Sequence, residues 1–137
     1  MSRNGLAKIL IADNDEEILL GLERALEDEG YSTATAISHG DASKMLSRET
    51  FDLIILDDYL SDKDATQLLT ELQGSDVAPL VIVTYHRYPS RDDQARLLSL
   101  GVCALIDKHA YSVLVRKVDR LLCPYAARYG DEFENIT

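Results

Sequence analysis

Five short apolar runs alternate with segments of helical period along this chain, and no other feature restricts its fold so tightly. The runs are AKILIA (7–12), YSTATAI (31–37), DLIILD (52–57), PLVIVT (79–84) and CALID (103–107). After the first, Ile18, Leu22, Ala25 and Leu26 recur at i, i+4, i+7 and i+8, one face of a helix that Gly30 stops. Ala42, Met45 and Leu46 repeat the pattern, and Ala65, Leu68, Leu69 and Leu72 repeat it again ahead of Gly74. DDQARLLSLG forms a fourth helix closed by Gly101, and Leu114, Val118, Leu121 and Leu122 mark a fifth that Pro124 ends. Strands that are apolar over their whole length are buried on both faces, which requires a parallel sheet covered by helices on both sides. The fold class is therefore α/β, a doubly wound (βα)5 sheet with right-handed crossovers. Such a sheet places its ligand site outside the carboxyl ends of the strands, near the switch in strand order.

The 137 residues suffice for one domain with a core, and no apolar run approaches the ~20 residues of a membrane span. The start, MSRNGLAKIL, is too short in apolar residues for a secretory signal, so a cytoplasmic, non-membrane protein is expected. A net charge of −10 argues against direct nucleic-acid binding, which rests on lysine and arginine neutralising phosphates. Cys103 and Cys123 share no metal-ligand spacing and read as small buried hydrophobes. His39 and His109 share none either, so zinc is not expected.

The run Leu53-Ile54-Ile55-Leu56 ends on Asp57 and Asp58, and a carboxylate at the tip of an interior strand needs a cation to meet it. The other strand tips supply candidates. The first ends in Asp13, Asn14 and Asp15, the fourth at Thr84, and the fifth runs into Lys108. Two strands thus deliver carboxylates to one edge, a third a hydroxyl and a fourth an ammonium.

With these residues in place the chain resembles, over residues 6 to 123, the receiver domain of two-component response regulators. ILIADNDEEIL is similar to that family's first strand and acidic cluster, DLIILDDYL to the strand bearing its phosphoacceptor, VIVTY to the hydroxyl strand, and GVCALIDKH to the strand before its lysine. The resemblance implies a flavodoxin-like strand order 2-1-3-4-5, with Asp57 as phosphoacceptor. It implies Mg²⁺ held by Asp13, Asn14, Asp57 and the backbone carbonyl of Tyr59. Thr84 would bond a phosphoryl oxygen, and Lys108 would pair with the aspartate or its phosphate. The partners implied are a sensor histidine kinase or phosphotransfer protein, and an output domain or protein meeting the face of the fourth helix, fifth strand and fifth helix. A homodimer is left open. The activity expected is self-catalysed phosphotransfer and dephosphorylation at most. Residues 1–123 would form the receiver domain and 124–137 a tail or the start of a linker.

The chemistry agrees independently. Phosphoryl transfer asks mainly for positioning and charge neutralisation, a carboxylate can form an aspartyl phosphate, and Mg²⁺ takes one or two carboxylates plus waters and phosphate oxygens.

Several positions depart from the family's pattern. Asn14 stands where a second carboxylate is usual, and Asp15 is available either to compensate or to cap the first helix. The loop after Asp57 carries Ser61, Asp62 and Ala65 in place of proline and glycines, and its Asp62 and Asp64 read as solvated loop and N-cap of the third helix. Tyr85 replaces a small residue after Thr84, His109 replaces a proline, and Leu105 replaces the aromatic of the fifth strand. Tyr59 and His86 flank the mouth of the site, and YHRYPSRDD (85–93) concentrates tyrosine and arginine as interfaces do. Two other readings compete: a degenerate receiver that binds partners without phosphate, and a haloacid-dehalogenase-type phosphatase with Asp13 as nucleophile and Asp15 as acid/base. The second leaves Asp57 without a role and lacks an acidic pair after Lys108.

Overall fold

The computed structural model describes residues 7–60 and 62–122. The elements alternate throughout: β1 (Lys8–Ala12), α1 (Glu16–Asp28), β2 (Ser32–Ala36), α2 (His39–Arg48), β3 (Leu53–Asp57), α3 (Ala65–Leu72), β4 (Leu80–Tyr85), α4 (Arg91–Ser99), β5 (Ala104–Asp107) and α5 (Tyr111–Leu122). The five strands lie in the order β2-β1-β3-β4-β5, each pair parallel. The order reverses between β1 and β3, so the crevice expected of a doubly wound sheet opens above Ala12 and Leu56, which pair in register.

Period-two alternation along each strand divides the core between two layers. Leu10, Ile54, Leu56, Val81 and Val83 face α2, α3 and α4, where Ala42, Leu68, Leu69 and Leu97 meet them. Ile9, Ile11, Leu53, Ile55 and Ile82 face α1 and α5, against Ile18, Leu22, Leu26, Leu114 and Val118. Each of the buried Val, Leu and Ile side chains among these contributes about 1.5–3 kcal/mol of transfer free energy.

The helix starts follow local capping chemistry. The side chains of Asp15, Ser38, Asp64 and Ser90 accept backbone N–H groups in the first turns of α1, α2, α3 and α4. Gly30 and Gly101, with φ of 96° and 91°, take the left-handed conformation that lets the chain turn out of a helix. Gly21 serves a different end: a Cβ there would lie 2.6 Å from the ring of Tyr111, so its missing side chain lets α5 close on α1.

Cys103 is exposed, correcting the expectation of a buried thiol. It immediately precedes β5, the edge strand of the sheet, and its backbone N–H donates to Val81 O at 2.8 Å. Cys123 and Pro124 lie outside the described residues.

Candidate functional site

Strand register assembles the site. Asp57, the last residue of β3, pairs with Thr84 of β4, and the N–H of Asp58 donates to Thr84 O at 2.8 Å. The N–H of Asp13, just past β1, donates to Ala36 O, and the N–H of Lys108, just past β5, donates to Tyr85 O, each at 3.0 Å. Asp13, Asp57, Thr84 and Lys108 are all buried, whereas Asn14 and Tyr59 stand exposed at the rim.

Lys108 is the cation that the acidic tip of β3 requires. Its Nζ lies 3.1 Å from Asp57 Oδ2 and 3.2 Å from Asp13 Oδ2. Asp13 Oδ1 accepts the Asp15 N–H at 2.8 Å and faces Lys108 Nζ at 3.4 Å. The approach to Asp13 Oδ2 is an ion pair without hydrogen-bond alignment, and that oxygen is buried with no hydrogen-bond partner among the described residues.

One ammonium does not neutralise two buried carboxylates. Burial pushes the Asp57 carboxyl up to about 6 against the opposing pull of Lys108, and the neighbouring Asp58 adds to the rise. Asp13 is also raised, first by burial and then by the charge of Asp57, although its bond from Asp15 opposes this. Burial pulls Lys108 down, but Asp57 and Asp13 outweigh it and leave the ammonium above the usual lysine range.

The donor set suits a small hard cation. Two carboxylates converge, one of them with an oxygen that has no hydrogen-bond partner among the described residues, and Asn14 and Tyr59, which follow Asp13 and Asp58 in the chain, are exposed. Among the described residues no three His, Cys, Asp or Glu side chains form a cage, while Mg²⁺ usually keeps several waters and takes one or two carboxylates.

The loop from Asp58 to Ala65 is closed by its own backbone. Leu60 and Lys63 exchange N–H···O bonds at 3.0 and 3.1 Å, Ala65 N–H donates to Asp58 O at 2.9 Å, and Tyr59 bridges Asp64. Leu60, fully buried, pins the loop from beneath. Asp64 is the N-cap of α3, as expected, but Asp62 is not merely solvated. Its carboxylate accepts the N–H groups of His39 at 2.9 Å and Gly40 at 3.2 Å, and these bonds lower its pKa.

Around the mouth, Tyr85 sets its ring edge-on to Tyr88 with centroids 5.4 Å apart, and His86 meets His109 at 5.9 Å. The Lys108–His109 peptide is trans. Beside the site, between the β3–α3 and β4–α4 loops, lies a cavity of about 350 Å³ lined by Asp58, Tyr59, Arg87, Tyr88 and Arg96. Asp57 forms no part of its wall.

Three contacts had no local signal in the sequence: Asp62 on α2, buried His39 on Glu71, and Tyr111 against Gly21. Each joins residues from separate elements, so neither spacing nor composition marks it.

A doubly wound parallel sheet with paired carboxylates and a lysine at its switch point defines a class of protein: a compact α/β domain with an acidic, cation-seeking pocket. Residues 9–119 match the sequence model of the response regulator receiver domain, and the chain belongs to that family. It is 38% identical over 88 residues to the alginate biosynthesis transcriptional regulatory protein AlgB of Pseudomonas putida, covering 62% of this chain and 19% of AlgB. It is 37% identical over 103 residues to the transcriptional regulatory protein GlrR of Escherichia coli, covering 74% of this chain and 23% of GlrR. The chain therefore spans about a fifth of the length of these curated relatives. A CheY-like receiver domain protein from Methanospirillum hungatei superposes with a TM-score of 0.79 at 28% identity, over 96% of this chain and 99% of that one.

Proposed function

We propose that this domain is a phosphorylatable switch of a two-component system, with Asp57 as the phosphoacceptor. An Asp57 carboxylate oxygen attacks phosphorus, and a P–O bond forms as the P–N bond of a phosphohistidine donor breaks. The leaving electron pair stays on the imidazole nitrogen, which takes up a proton. Mg²⁺, held by Asp13, Asp57, the Asn14 amide and the Tyr59 carbonyl, would neutralise charge on the transferring group. Lys108 supplies the fixed positive charge, placed 3.1 Å from Asp57, and follows the new phosphate as a compact ion partner. Thr84, buried beside Asp57 in register, offers its hydroxyl to a phosphoryl oxygen.

One observation carries this reading. Buried Asp57 and Asp13 share one ammonium, and among the described residues one Asp13 oxygen has no hydrogen-bond partner, so the pocket has room in its electrostatics for a further cation. The donor would be a histidine kinase or phosphotransfer protein, and the output partner would meet the face of α4, β5 and α5, where Leu98, Cys103 and Val113 are exposed. No described helix is long and apolar enough to cross a membrane, and a cytoplasmic setting fits this partnership.

The test is Mg²⁺-dependent modification by acetyl phosphate, read by intact mass, with Asp57→Asn as control. An adduct of one phosphoryl group that needs Mg²⁺ and vanishes in the variant supports the switch. Exposed Asn14, which removes a charge from the site, favours a second reading: a receiver that binds partners without phosphate. Absence of both adduct and Mg²⁺ binding would select it.

A further inference from the structure

Asp62 occupies a position where the family's pattern carries glycine, and its side chain reaches out of the phosphorylation loop to another element. The first turn of α2 presents three N–H groups, and two residues satisfy them. Ser38, the local N-cap, takes Asp41 N–H at 3.1 Å, while Asp62 takes His39 N–H at 2.9 Å and Gly40 N–H at 3.2 Å. Since α2 already has a cap of its own, the bonds from Asp62 matter more to the loop than to the helix. Besides its internal bonds, the loop is held by the Asp58 N–H on Thr84 O and by Leu60 beneath it.

A second tie continues the path. His39, 4% exposed, places Nε2 at 3.1 Å from Glu71 Oε1 on α3, and Glu71 Oε2 accepts the Ser43 hydroxyl at 3.1 Å. The loop, the start of α2 and the last turn of α3 therefore form one hydrogen-bonded unit, and Asp62 stands five residues along the chain from Asp57.

We infer that Asp62 is a positioning residue for the metal site: by anchoring the loop to the first turn of α2 it holds the Tyr59 carbonyl where the cation needs it, and it couples occupancy of that site to α2. This rests on the Mg²⁺-dependent reading of Asp57 above. It also explains why the loop tolerates the loss of its glycines, because a carboxylate and its acceptor geometry replace intrinsic turn preference with a tertiary restraint.

The experiment compares wild type, Asp62→Ala and Asp62→Asn by Mg²⁺ titration under NMR, with amide exchange at His39 and Gly40 measured with and without beryllofluoride. Asp62→Ala should weaken Mg²⁺ binding about fivefold, the scale of a lost cap, and speed exchange at both amides while thermal unfolding stays cooperative. Asp62→Asn removes the charge and keeps one of the two accepting oxygens, enough for the shorter bond from His39 N–H, so its affinity should fall between those of wild type and Asp62→Ala. Beryllofluoride should slow exchange at His39 and Gly40 in wild type and not in Asp62→Ala. Unchanged Mg²⁺ affinity in Asp62→Ala overturns the inference, as does an Asp62→Asn variant as weak as Asp62→Ala, since charge alone would then account for the effect. Failure of wild type to bind Mg²⁺ at all would instead overturn the functional reading, and the inference with it.

Discussion

Lys108 Nζ stands 3.1 Å from Asp57 Oδ2, joining the ends of β3 and β5 across the intervening strand β4. The pair is buried, and its electrostatics are left short of positive charge by Asp13 on the other side. Most of the behaviour expected of this domain in solution follows from that imbalance.

Ionised Asp57 should weaken the metal-free fold. Its folded pKa, about 6, lies above the ordinary aspartate value of 3.8, so the native state holds the proton more tightly than the unfolded state does. Stability from this group is present below the unfolded value and is lost as pH rises from about 4 through 6, by at most ~3 kcal/mol. Asp57→Asn should therefore stabilise the metal-free protein more at pH 8 than at pH 5. Urea unfolding at the two pH values measures the difference, and an equal effect at both would refute it.

Mg²⁺ and the proton should compete for the same carboxylate. With Asp57 titrating near 6, the apparent Mg²⁺ affinity should rise about fourfold between pH 5.5 and 7.5 from this group alone. Raised Asp13 adds to the trend in the same direction. Isothermal titration in two buffers of different ionisation enthalpy should also register proton release below pH 7.

Removing the ammonium should be more harmful than removing the acid. Lys108→Met leaves Asp13 and Asp57 buried against each other without a cation, a loss of about 3 kcal/mol at neutral pH. Lowering the pH to 5 should recover much of that loss as one carboxyl takes up a proton. Unfolding midpoints across that range, with and without Mg²⁺, test the claim.

Asn14→Asp should restore a charge at the rim. A carboxylate about 4 Å from a divalent cation in a wet site gains on the order of 2 kcal/mol, about 1 kcal/mol per unit charge on the ion, so Mg²⁺ binding should tighten by up to about thirtyfold. A competition titration that finds no change would mean that position 14 does not reach the ion.

Gly21 and Tyr111 should be coupled. Gly21→Ala gains about 1 kcal/mol of helix propensity but drives a Cβ to within 2.6 Å of the Tyr111 ring, an overpacking worth about 1–3 kcal/mol. The substitution should be neutral to destabilising in wild type and stabilising by about 1 kcal/mol once Tyr111→Ala has emptied the space. Independent, additive effects in the double-mutant cycle would remove the close approach as an explanation.

Much of the fold was legible because its determinants are local or periodic. The five apolar runs place β1 to β5 within one residue at most ends, and Gly30 and Gly101 mark helix exits where a left-handed residue is needed. Asp15 and Asp64 behave as caps, which their positions ahead of apolar helical faces already suggested. Even the gathering of Asp13, Asp57, Thr84 and Lys108 could be anticipated, because parallel strands deliver all their carboxyl ends to one edge.

By itself, then, the sequence determined the layers, the alternation of strand and helix, and which four side chains would share an edge, because side-chain period and strand direction suffice for those. Only the tertiary structure decided how the group is balanced and braced. The reach of Lys108 to two carboxylates, the raised Asp57, the exposed Cys103 beside an edge strand, and the grip of Asp62 on His39 and Gly40 all depend on distances between elements far apart in the chain. Burial and the alignment of hydrogen bonds are properties of the packed whole, and no local window of residues contains them.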